Sequence, residues 1–299
     1  MIERLCIIGV GLIGGSLARA LRQVGACREI VGAGRDPVHL EQAVKLGVID
    51  RYALDIGAAV EGADRVVIAV PLGAVEGVLR RVRGRLAANA VVTDVGSAKG
   101  SVVEAARAVF GTVPPWFVPG HPIAGTEKNG VAASVADLFR GRRVILTPLP
   151  ETNRAALARV RALWECTGAE VVEMDVNQHD QVLAATSHVP HLLAYALVDG
   201  LARREEEGRE MLRFAAGGFR DFTRIASSDP AMWRDICLAN RAAVLAELQR
   251  FGEDLGRLAE AIRQGDGERI MAIFSRAKRA RDRFIESQGQ DTGPTSPIE

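Results

Sequence analysis

The feature that most constrains this chain is a glycine motif near its start. A candidate strand, Arg4–Gly9, leads into Gly9-Val10-Gly11-Leu12-Ile13-Gly14, and an amphipathic helical pattern follows over Gly14–Val24. A glycine turn between a buried strand and a helix is typical of the first βαβ unit of a dinucleotide-binding fold. The motif therefore predicts that the chain begins with a Rossmann-type domain.

Each glycine of the motif has its own expected role. Gly9 permits the tight turn, Gly11 lets the backbone approach a pyrophosphate, and Gly14 allows close packing of helix on strand. The N-terminus of the helix offers N–H groups and the positive end of its dipole to the phosphates. The predicted cofactor-binding residues of this turn are Gly9, Gly11, Leu12, Ile13 and Gly14.

The end of the second candidate strand bears on the choice between NAD and NADP. About 20 residues beyond the motif, an acidic side chain usually holds the ribose 2′-hydroxyl of NAD. Here Gly34 and Arg35 occupy that place. Gly34 leaves room for a 2′-phosphate and Arg35 can pair with it, so the sequence favours NADP. Two alternatives stay open: Asp36 can serve NAD after a small loop shift, and Arg35 can simply stack on the adenine.

The first half of the chain alternates short apolar runs with amphipathic segments. The candidate strands are Arg4–Gly9, Glu29–Gly32, Arg65–Val70, Ala90–Val95, Trp116–Pro119, Arg143–Thr147 and Glu170–Met174. Apolar strands that alternate with helices predict an α/β fold with a doubly wound parallel sheet. Ligands of such sheets bind beyond the carboxyl ends of the strands, so Val70, Pro71 and Asp94 are further candidates for cofactor binding.

The pattern changes after Met174. Helical patterns dominate the rest of the chain, at 176–206, 208–217, 230–264 and 266–287. We therefore predict a Rossmann domain over 1–174, an all-helical domain over 175–287 and a disordered polar tail over 288–299. The long apolar stripes of the helical domain suggest a homodimer, and the alternative is a helix bundle within one chain.

Composition argues against several classes of function. Lys and Arg number 38 against 37 Asp and Glu, so no net field points to nucleic acid or to a membrane surface. No apolar stretch reaches the ~20 residues of a membrane helix, and no secretory signal is visible. Four scattered cysteines without a CxxC pair indicate ordinary thiols in a reducing cytoplasm.

Two loops that follow later strands carry candidate catalytic groups. The first, Asp94 to Lys99, contains Ser97, and the second contains His121 between Gly120 and Pro122. A histidine in that position is poorly placed for core packing and well placed for a cleft, where Ser97 can hydrogen-bond the imidazole or the substrate. Four of the five histidines lie within 121–191, but their spacing matches no metal site, so we expect no metal.

A glycine-rich break in the helical half carries Arg220, Asp221 and Arg224. Arginine can bind a carboxylate through two parallel hydrogen bonds, so this break suits a carboxylate site. The alternative is a salt-bridged loop that caps a helix.

Five segments spread along the chain form one set of motifs. They are GVGLIGGSLA (9–18), TDVGSAKG (93–100), GHPIAGTEKNG (120–130), DQVLAATSHVPH (180–191) and GGFRDFTRIASSDPAMWRDI (217–236). In this order they resemble the prephenate/arogenate (cyclohexadienyl) dehydrogenase family of tyrosine biosynthesis, and the HPIAGTE and FRDFTRIA segments are far more specific than the glycine motif. The β-hydroxyacid dehydrogenases share the architecture but use a catalytic lysine and lack HPIAGTE.

The resemblance implies oxidative decarboxylation of prephenate or arogenate, with hydride transfer to NAD or NADP. It implies that His121 acts on the substrate 4-hydroxyl, that Ser97 orients His121 and this hydroxyl, and that Arg224 binds a substrate carboxylate. It further implies substrate-binding roles for His179, Ser187, His191, Thr126 and Glu127. Two alternatives remain: another small-acid dehydrogenase, and a catalytically silent dinucleotide-binding sensor.

Overall fold

The computed structural model describes residues 1–126, 128–206 and 210–291. Within these ranges the strands are β1 (Ile2–Ile8), β2 (Cys27–Ala33), β3 (Arg51–Ala53), β4 (Arg65–Ile68), β5 (Val91–Asp94), β6 (Phe117–Val118), β7 (Gly120–Pro122), β8 (Arg143–Leu146) and β9 (Glu170–Glu173). The α-helices are α1 (Leu12–Gln23), α2 (Pro37–Lys45), α3 (Ile56–Val60), α4 (Val75–Val82), α5 (Gly100–Phe110), α6 (Arg154–Glu165), α7 (Val176–Leu183), α8 (Val189–Glu206), α9 (Gly217–Thr223), α10 (Pro230–Ala239), α11 (Arg241–Arg263) and α12 (Gly267–Asp291).

Six parallel strands form the main sheet, in the order β3-β2-β1-β4-β5-β6. At its centre Ile7 of β1 lies beside Gly32 of β2 and Val67 of β4. The strand order reverses between β1 and β4, and dinucleotides bind at the carboxyl ends of the strands at such a point. The predicted Rossmann-type α/β fold is confirmed.

The central strand is buried on both faces because helices cover both sides of the sheet. Leu5 and Ile7 enter one apolar cluster, which includes Leu17 of α1. Cys6 and Ile8 enter a second cluster, formed largely with α3, α4 and α5. Full burial of such side chains contributes about 1.5–3 kcal/mol each, which explains why β1 reads as a continuous apolar run.

Two of the seven candidate strands do not join the parallel sheet. The strands predicted at Arg143–Thr147 and Glu170–Met174 are β8 and β9, which form a separate three-stranded sheet with β7. Strand β7 runs antiparallel to β8 and places His121 opposite Ile145. Strands β3 and β7 were not predicted, because three residues are too few to show a period.

The helical half also differs in detail from the prediction. The run predicted at 176–206 contains a π-helical turn, Ala184–His188, and the run predicted at 230–264 breaks at Asn240. The helix predicted at 208–217 is wrong where the structure describes it, since 210–216 hold only the 3-10 turn Leu212–Phe214. Helix α12 continues to Asp291, past the predicted start of the tail, and 292–299 lie outside the described residues.

The chain divides into two compact units, Met1–Val244 and Leu245–Glu299. The first unit contains both sheets and helices α1 to α10, and the second contains most of α11 and all of α12. The predicted domain boundary after residue 174 stays a prediction, although β9 ends at Glu173 and α7 begins at Val176. In the described ranges, every helix is too short or too polar to span a bilayer.

Candidate active site

The glycine turn has the geometry that each glycine was expected to provide. Gly9 has φ +97°, and a Cβ there would lie 2.2 Å from the carbonyl oxygen of Ala69. A Cβ on Gly14 would lie 2.3 Å from the carbonyl oxygen of Gly9. Gly11 faces open space and caps α1 without a side-chain hydrogen bond. The first turn of α1, with half-buried Leu12 and Ile13, therefore presents its N–H groups to a space that a phosphate can enter.

Val70 and Pro71 follow the carboxyl end of β4, beside this turn. A Cγ carbon of half-buried Val70 lies 3.1 Å from the position of a Cβ on Gly9, and Pro71 is exposed. Their role in cofactor binding stays a prediction.

The residues after β2 determine what a ribose 2′-substituent would meet. A Cβ on Gly34 would meet only the Leu40 side chain, at 3.6 Å, so packing does not require glycine there. Arg35 is exposed. The Asp36 carboxylate caps α2 by accepting hydrogen bonds from the amides of Val38 (2.9 Å) and His39 (3.3 Å). A loop shift that brought Asp36 to a ribose would break this cap, which contributes about 1 kcal/mol in typical helices.

Asp94, predicted to bind the cofactor, makes its side-chain contacts inside the protein. Its side chain is fully buried and forms an ion pair with the equally buried Lys99. Its oxygens also accept hydrogen bonds from the amides of Gly96 (2.7 Å) and Gly120 (3.1 Å). Both side-chain oxygens of Asp94 are thus engaged inside the protein, and its contact with the cofactor stays a prediction.

The Asp94–Lys99 pair holds the residue next to His121. Lys99 Nζ donates a hydrogen bond to the Gly120 carbonyl (2.7 Å), while Asp94 accepts from the Gly120 amide. Both backbone polar groups of Gly120 are thus tied to one buried ion pair. Separation of the two partners would leave an unpaired charge in the protein interior, which is energetically costly. We therefore expect β7 to be held firmly at Gly120.

His121 belongs to a chain of three side chains. Its Nδ1 lies 2.9 Å from His179 Nε2, and His179 Nδ1 lies 2.8 Å from Asp180 Oδ1. His121 is 8% exposed and His179 is fully buried. No described residue hydrogen-bonds to Nε2 of His121, so this nitrogen is the one that can act on a substrate.

The electrostatic surroundings keep these imidazoles neutral. Burial lowers the pKa of His121 well below its ordinary value, and the positive charges that His179, Lys99 and His188 carry when protonated act in the same direction. Burial also lowers the pKa of His179, against the opposing effect of Asp180. Burial tends to raise the pKa of Asp180, but hydrogen bonds from His179 and from the amides of Lys99 and Gly100 bring it below its ordinary value. An anionic carboxylate therefore faces a neutral histidine pair.

Ser97 does not bond to His121 in this structure. It is half-buried in the loop after β5, and no hydrogen bond joins it to the His121 ring among the described residues. The partner of His121 is His179 instead. Ser97 stays a candidate for contact with the substrate.

A second group of histidines packs on Trp233. The His191 ring stacks on Trp233 with ring centroids 3.7 Å apart, and His191 Nδ1 donates a hydrogen bond to the Ser187 carbonyl (2.8 Å). His188 is fully buried, and burial lowers its pKa to about 4 despite the attraction of Asp180. The π-turn Ala184–His188 contains Ser187 and His188 and immediately precedes α8 with His191. Such turns occur often at functional sites because they re-aim side chains along a helix.

The remaining predicted site residues lie in exposed segments. Arg224 begins a 3-10 turn after α9, and its charge lies close enough to lower the pKa of His191, together with the larger effect of burial. Arg220 and Asp221 are highly exposed and pair with each other at 3.8 Å. Thr126 is exposed and accepts a hydrogen bond from the Lys128 amide (3.2 Å). Glu127 lies outside the described residues.

Sequence reasoning assigned no role to Lys99, Asp180 or Asn240. Asn240 is buried where α10 ends, and its Nδ2 donates to the Asp180 carbonyl (2.8 Å) and to His188 Nδ1 (3.2 Å). Lys99 and Asp180 lie inside the quoted segments TDVGSAKG and DQVLAATSHVPH, which was the only available signal. Among the described residues, no three His, Cys, Asp or Glu side chains are grouped to hold a metal ion.

Comparison with known proteins identifies the family. The model of the prephenate dehydrogenase nucleotide-binding domain matches residues 17–173, and that of the prephenate dehydrogenase dimerization domain matches 175–276. The cyclohexadienyl dehydrogenase of Zymomonas mobilis is 38% identical over 93% of this chain and 95% of that protein. The prephenate dehydrogenase of Bacillus subtilis is 38% identical over 94% of this chain and 76% of that protein.

A solved structure extends this similarity to the whole fold. Prephenate dehydrogenase from Aquifex aeolicus, in complex with hydroxyphenyl propionate and NAD+, superposes with a TM-score of 0.89 at 36% identity. The match covers 95% of this chain and 99% of that one. Because the two domain models match consecutive parts of the chain and these relatives cover nearly all of it, the chain belongs to the prephenate dehydrogenase family.

Proposed function

We propose that this protein catalyses the oxidative decarboxylation of prephenate, arogenate or both, with NADP or NAD as hydride acceptor. The observation that carries the proposal is His121, a neutral imidazole with an open Nε2, in a member of the prephenate dehydrogenase family. Near neutral pH such a group can accept a proton in the transition state.

The proposed reaction requires few catalytic groups from the protein. His121 Nε2 accepts the proton of the substrate 4-hydroxyl while the carbon that bears this hydroxyl loses hydride. Bound nicotinamide supplies the hydride acceptor. Loss of CO2 then makes the ring aromatic, which drives the reaction forward, so the protein needs to orient the substrate rather than supply a second catalytic base.

The other site residues bind and orient the substrate. Arg224 pairs with a substrate carboxylate, since guanidinium can donate two parallel hydrogen bonds to it. Ser97 donates to the substrate hydroxyl. His191 keeps its proton on Nδ1 through the Ser187 carbonyl, which leaves Nε2 as an acceptor for a substrate donor. Thr126 and Glu127 are assigned to the mouth of the site.

NADP is the favoured cofactor in this proposal. Exposed Arg35 can pair with a 2′-phosphate, Gly34 carries no acidic group, and the Asp36 carboxylate is engaged in capping α2. The NAD+ complex described above concerns the Aquifex enzyme. The glycine turn with Leu12 and Ile13, together with Val70 and Pro71, would hold the dinucleotide in either case.

A two-by-two steady-state assay tests the reaction and both specificities. Prephenate and arogenate are each tested with NAD and with NADP. We expect turnover of at least one substrate, and a higher kcat/KM with NADP. Turnover of 3-hydroxyacids without turnover of either cyclohexadiene would favour the β-hydroxyacid type, and cofactor binding without any turnover would favour a silent sensor.

The role of Arg35 has its own matched pair of variants. Arg35→Gln should raise the KM for NADP about 10-fold or more and leave that for NAD nearly unchanged, because a charge-assisted bond is worth about 1.5–3 kcal/mol. Arg28→Gln is the control, since Arg28 is an exposed arginine of β2 that pairs with Glu3. Equal effects on the two cofactors would remove Arg35 from 2′-phosphate recognition.

We further propose that the protein is a homodimer that works in the reducing cytoplasm, where its four free cysteines remain thiols. The unit Leu245–Glu299 exposes large apolar side chains, namely Leu245, Leu255, Ile262, Met271, Phe274, Phe284 and Ile285. The second family model also describes a dimerization domain. Sedimentation should give twice the 32.0 kDa monomer mass, and Phe274→Lys should shift the equilibrium toward monomer.

A further inference from the structure

We propose that Asp180 is a positioning residue for catalysis: through His179 it selects the His121 tautomer that leaves the lone pair on Nε2. This inference rests on the proposed function for the identity of the base. It gives a new role to His179, which the family resemblance placed among the substrate-binding residues.

When Asp180 is ionised and both histidines are neutral, the hydrogen bonds that join Asp180, His179 and His121 permit only one arrangement of the protons. The Asp180 carboxylate can only accept, so the His179 nitrogen facing it at 2.8 Å, Nδ1, carries a proton. Neutral His179 then has a lone pair on Nε2, which faces His121 Nδ1 at 2.9 Å. His121 Nδ1 must donate, and its own lone pair is left on Nε2.

This tautomer matters because an isolated neutral imidazole can carry its proton on either ring nitrogen. If His121 carried its proton on Nε2, it would present a donor to the substrate hydroxyl and could not take up that proton. A carboxylate that holds a catalytic histidine in the correct tautomer is worth several orders of magnitude in other enzymes. Here Asp180 would act on His121 indirectly, because His179 lies between them and hydrogen-bonds to both.

Asp180 is itself held in place from three sides. Its Oδ1 and Oδ2 accept hydrogen bonds from the amides of Lys99 and Gly100, each at 2.8 Å, at the N-terminus of α5. Its carbonyl accepts from Asn240 Nδ2 at 2.8 Å. A Cβ on Gly100 would lie 2.8 Å from Asp180 Oδ2, so only glycine allows this approach. The helix N-terminus stabilises the carboxylate as an anion, which the tautomer argument requires.

The charged and titratable groups around His121 come from four elements. They are Asp94 at the end of β5, Lys99 before α5, His179 and Asp180 of α7, and His188 of the π-turn. Asp94 and Lys99 pair with each other. Asp180 is therefore the anion whose position can polarise the histidine chain.

Nitrogen-15 NMR of the ring nitrogens tests the tautomer without any substrate, and the chain contains only five histidines. At neutral pH, His121 in the wild-type protein should carry its proton on Nδ1. In His179→Phe, which removes the acceptor and leaves the Asp180 cap intact, the proton should move largely to Nε2. In His179→Gln, the side-chain carbonyl can replace the lost acceptor and should restore the Nδ1–H form.

The value of kcat should change in parallel with the tautomer of His121. We expect His179→Phe and Asp180→Asn to lower kcat about 100-fold or more with little change in substrate KM, in the range lost with general-base catalysis. His179→Gln should recover part of this loss. Asp175→Asn is the control, because the Asp175 carboxylate caps the same helix α7 at 2.8 Å from the Asn177 amide, and its hydrogen bonds go to backbone amides of that helix rather than to the His121, His179 or Asp180 side chains.

Two results would overturn the inference: a wild-type His121 with its proton on Nε2, or a His179→Phe variant that keeps both the Nδ1–H form and wild-type kcat. If Asp180→Asn fails to fold because it loses the cap on α5, the NMR and kinetic results for His179→Phe and His179→Gln still decide whether the inference holds. A wild-type protein that oxidises neither prephenate nor arogenate would refute the proposed function, while the NMR result would still decide the role of Asp180.

Discussion

At the residue scale, His121 acquires its chemistry from its neighbours. The same side chain on a solvent-exposed strand would titrate near pH 6.5 and exchange freely between tautomers. Burial lowers its pKa, His179 binds its Nδ1, and the Asp94–Lys99 pair holds the backbone of Gly120 beside it. Only Nε2 remains for a substrate.

Replacement of His121 tests its role as base directly. His121→Asn should lower kcat by about 100- to 10,000-fold with little change in substrate KM, because asparagine can hydrogen-bond to the hydroxyl but cannot take its proton. Steady-state kinetics with unchanged cofactor affinity as the folding control would check this. A variant with wild-type kcat would remove His121 from the chemistry.

Arg224 should affect binding rather than the chemical step. Arg224→Gln should raise substrate KM about 10- to 100-fold, as expected for loss of a charge-assisted hydrogen bond of about 1.5–3 kcal/mol, with a smaller effect on kcat. Arg220→Gln is the matched control, because Arg220 is 85% exposed and pairs only weakly with Asp221. The same KM for both variants would argue against a carboxylate contact by Arg224.

At the element scale, two contacts made by α7 organise the site. The Asp180 carboxylate caps α5 across 80 residues of sequence, and the Asp180 carbonyl accepts from Asn240 at the break between α10 and α11. The periodicity of 230–264 predicted one continuous helix, because helical spacing of apolar residues persists through Asn240. At the break, the side-chain amide of Asn240 makes two long-range hydrogen bonds, which no local pattern reveals.

The break at Asn240 can be tested by stability. Asn240→Ala should lower the free energy of unfolding by about 1–3 kcal/mol, since it leaves the buried His188 Nδ1 without its donor. It also removes one of the two donors to the half-buried Asp180 carbonyl, which keeps the Ala184 amide. The better helix propensity of alanine should offset little of this. Urea unfolding checks it, with Asn177→Ala on the exposed side of α7 as a control that should change stability by less than about 0.5 kcal/mol.

At the scale of the whole molecule, the buried histidines make stability depend on pH. The pKa values of His121, His179, His188 and His191 are all lowered, chiefly by burial, and that of His188 falls to about 4. Unfolded histidine takes up its proton as the pH falls through about 6.5, while the folded protein stays neutral. The unfolded state then binds more protons, so stability should decline as pH drops from about 6.5 toward about 4.

Urea unfolding at several pH values between about 7.5 and about 4.5 would measure this decline. His188→Gln should flatten the curve by up to one proton, or about 1.4 kcal/mol per pH unit. A stability curve of the wild-type protein that stays level below about pH 6 would show that these imidazoles are not buried as neutral groups.

The sequence by itself determined the Rossmann-type fold, the helical second half and the family, because these follow from local patterns. The glycine turn, the apolar strands and the motif around His121 are each readable within a few tens of residues. It also identified His121 and Arg224 as candidates, and it favoured NADP from Gly34 and Arg35.

Only the tertiary structure decided how the groups are connected. It shows that Asp94 forms a buried pair with Lys99, that His179 rather than Ser97 is the hydrogen-bond partner of His121, and that β8 and β9 lie in a separate sheet. The physical reason is that a hydrogen bond requires approach within about 3 Å. The bonds that connect Asp180, His179 and His121 to the rest of the site join residues 58, 80 and 81 positions apart, which only the packing of the whole chain brings together.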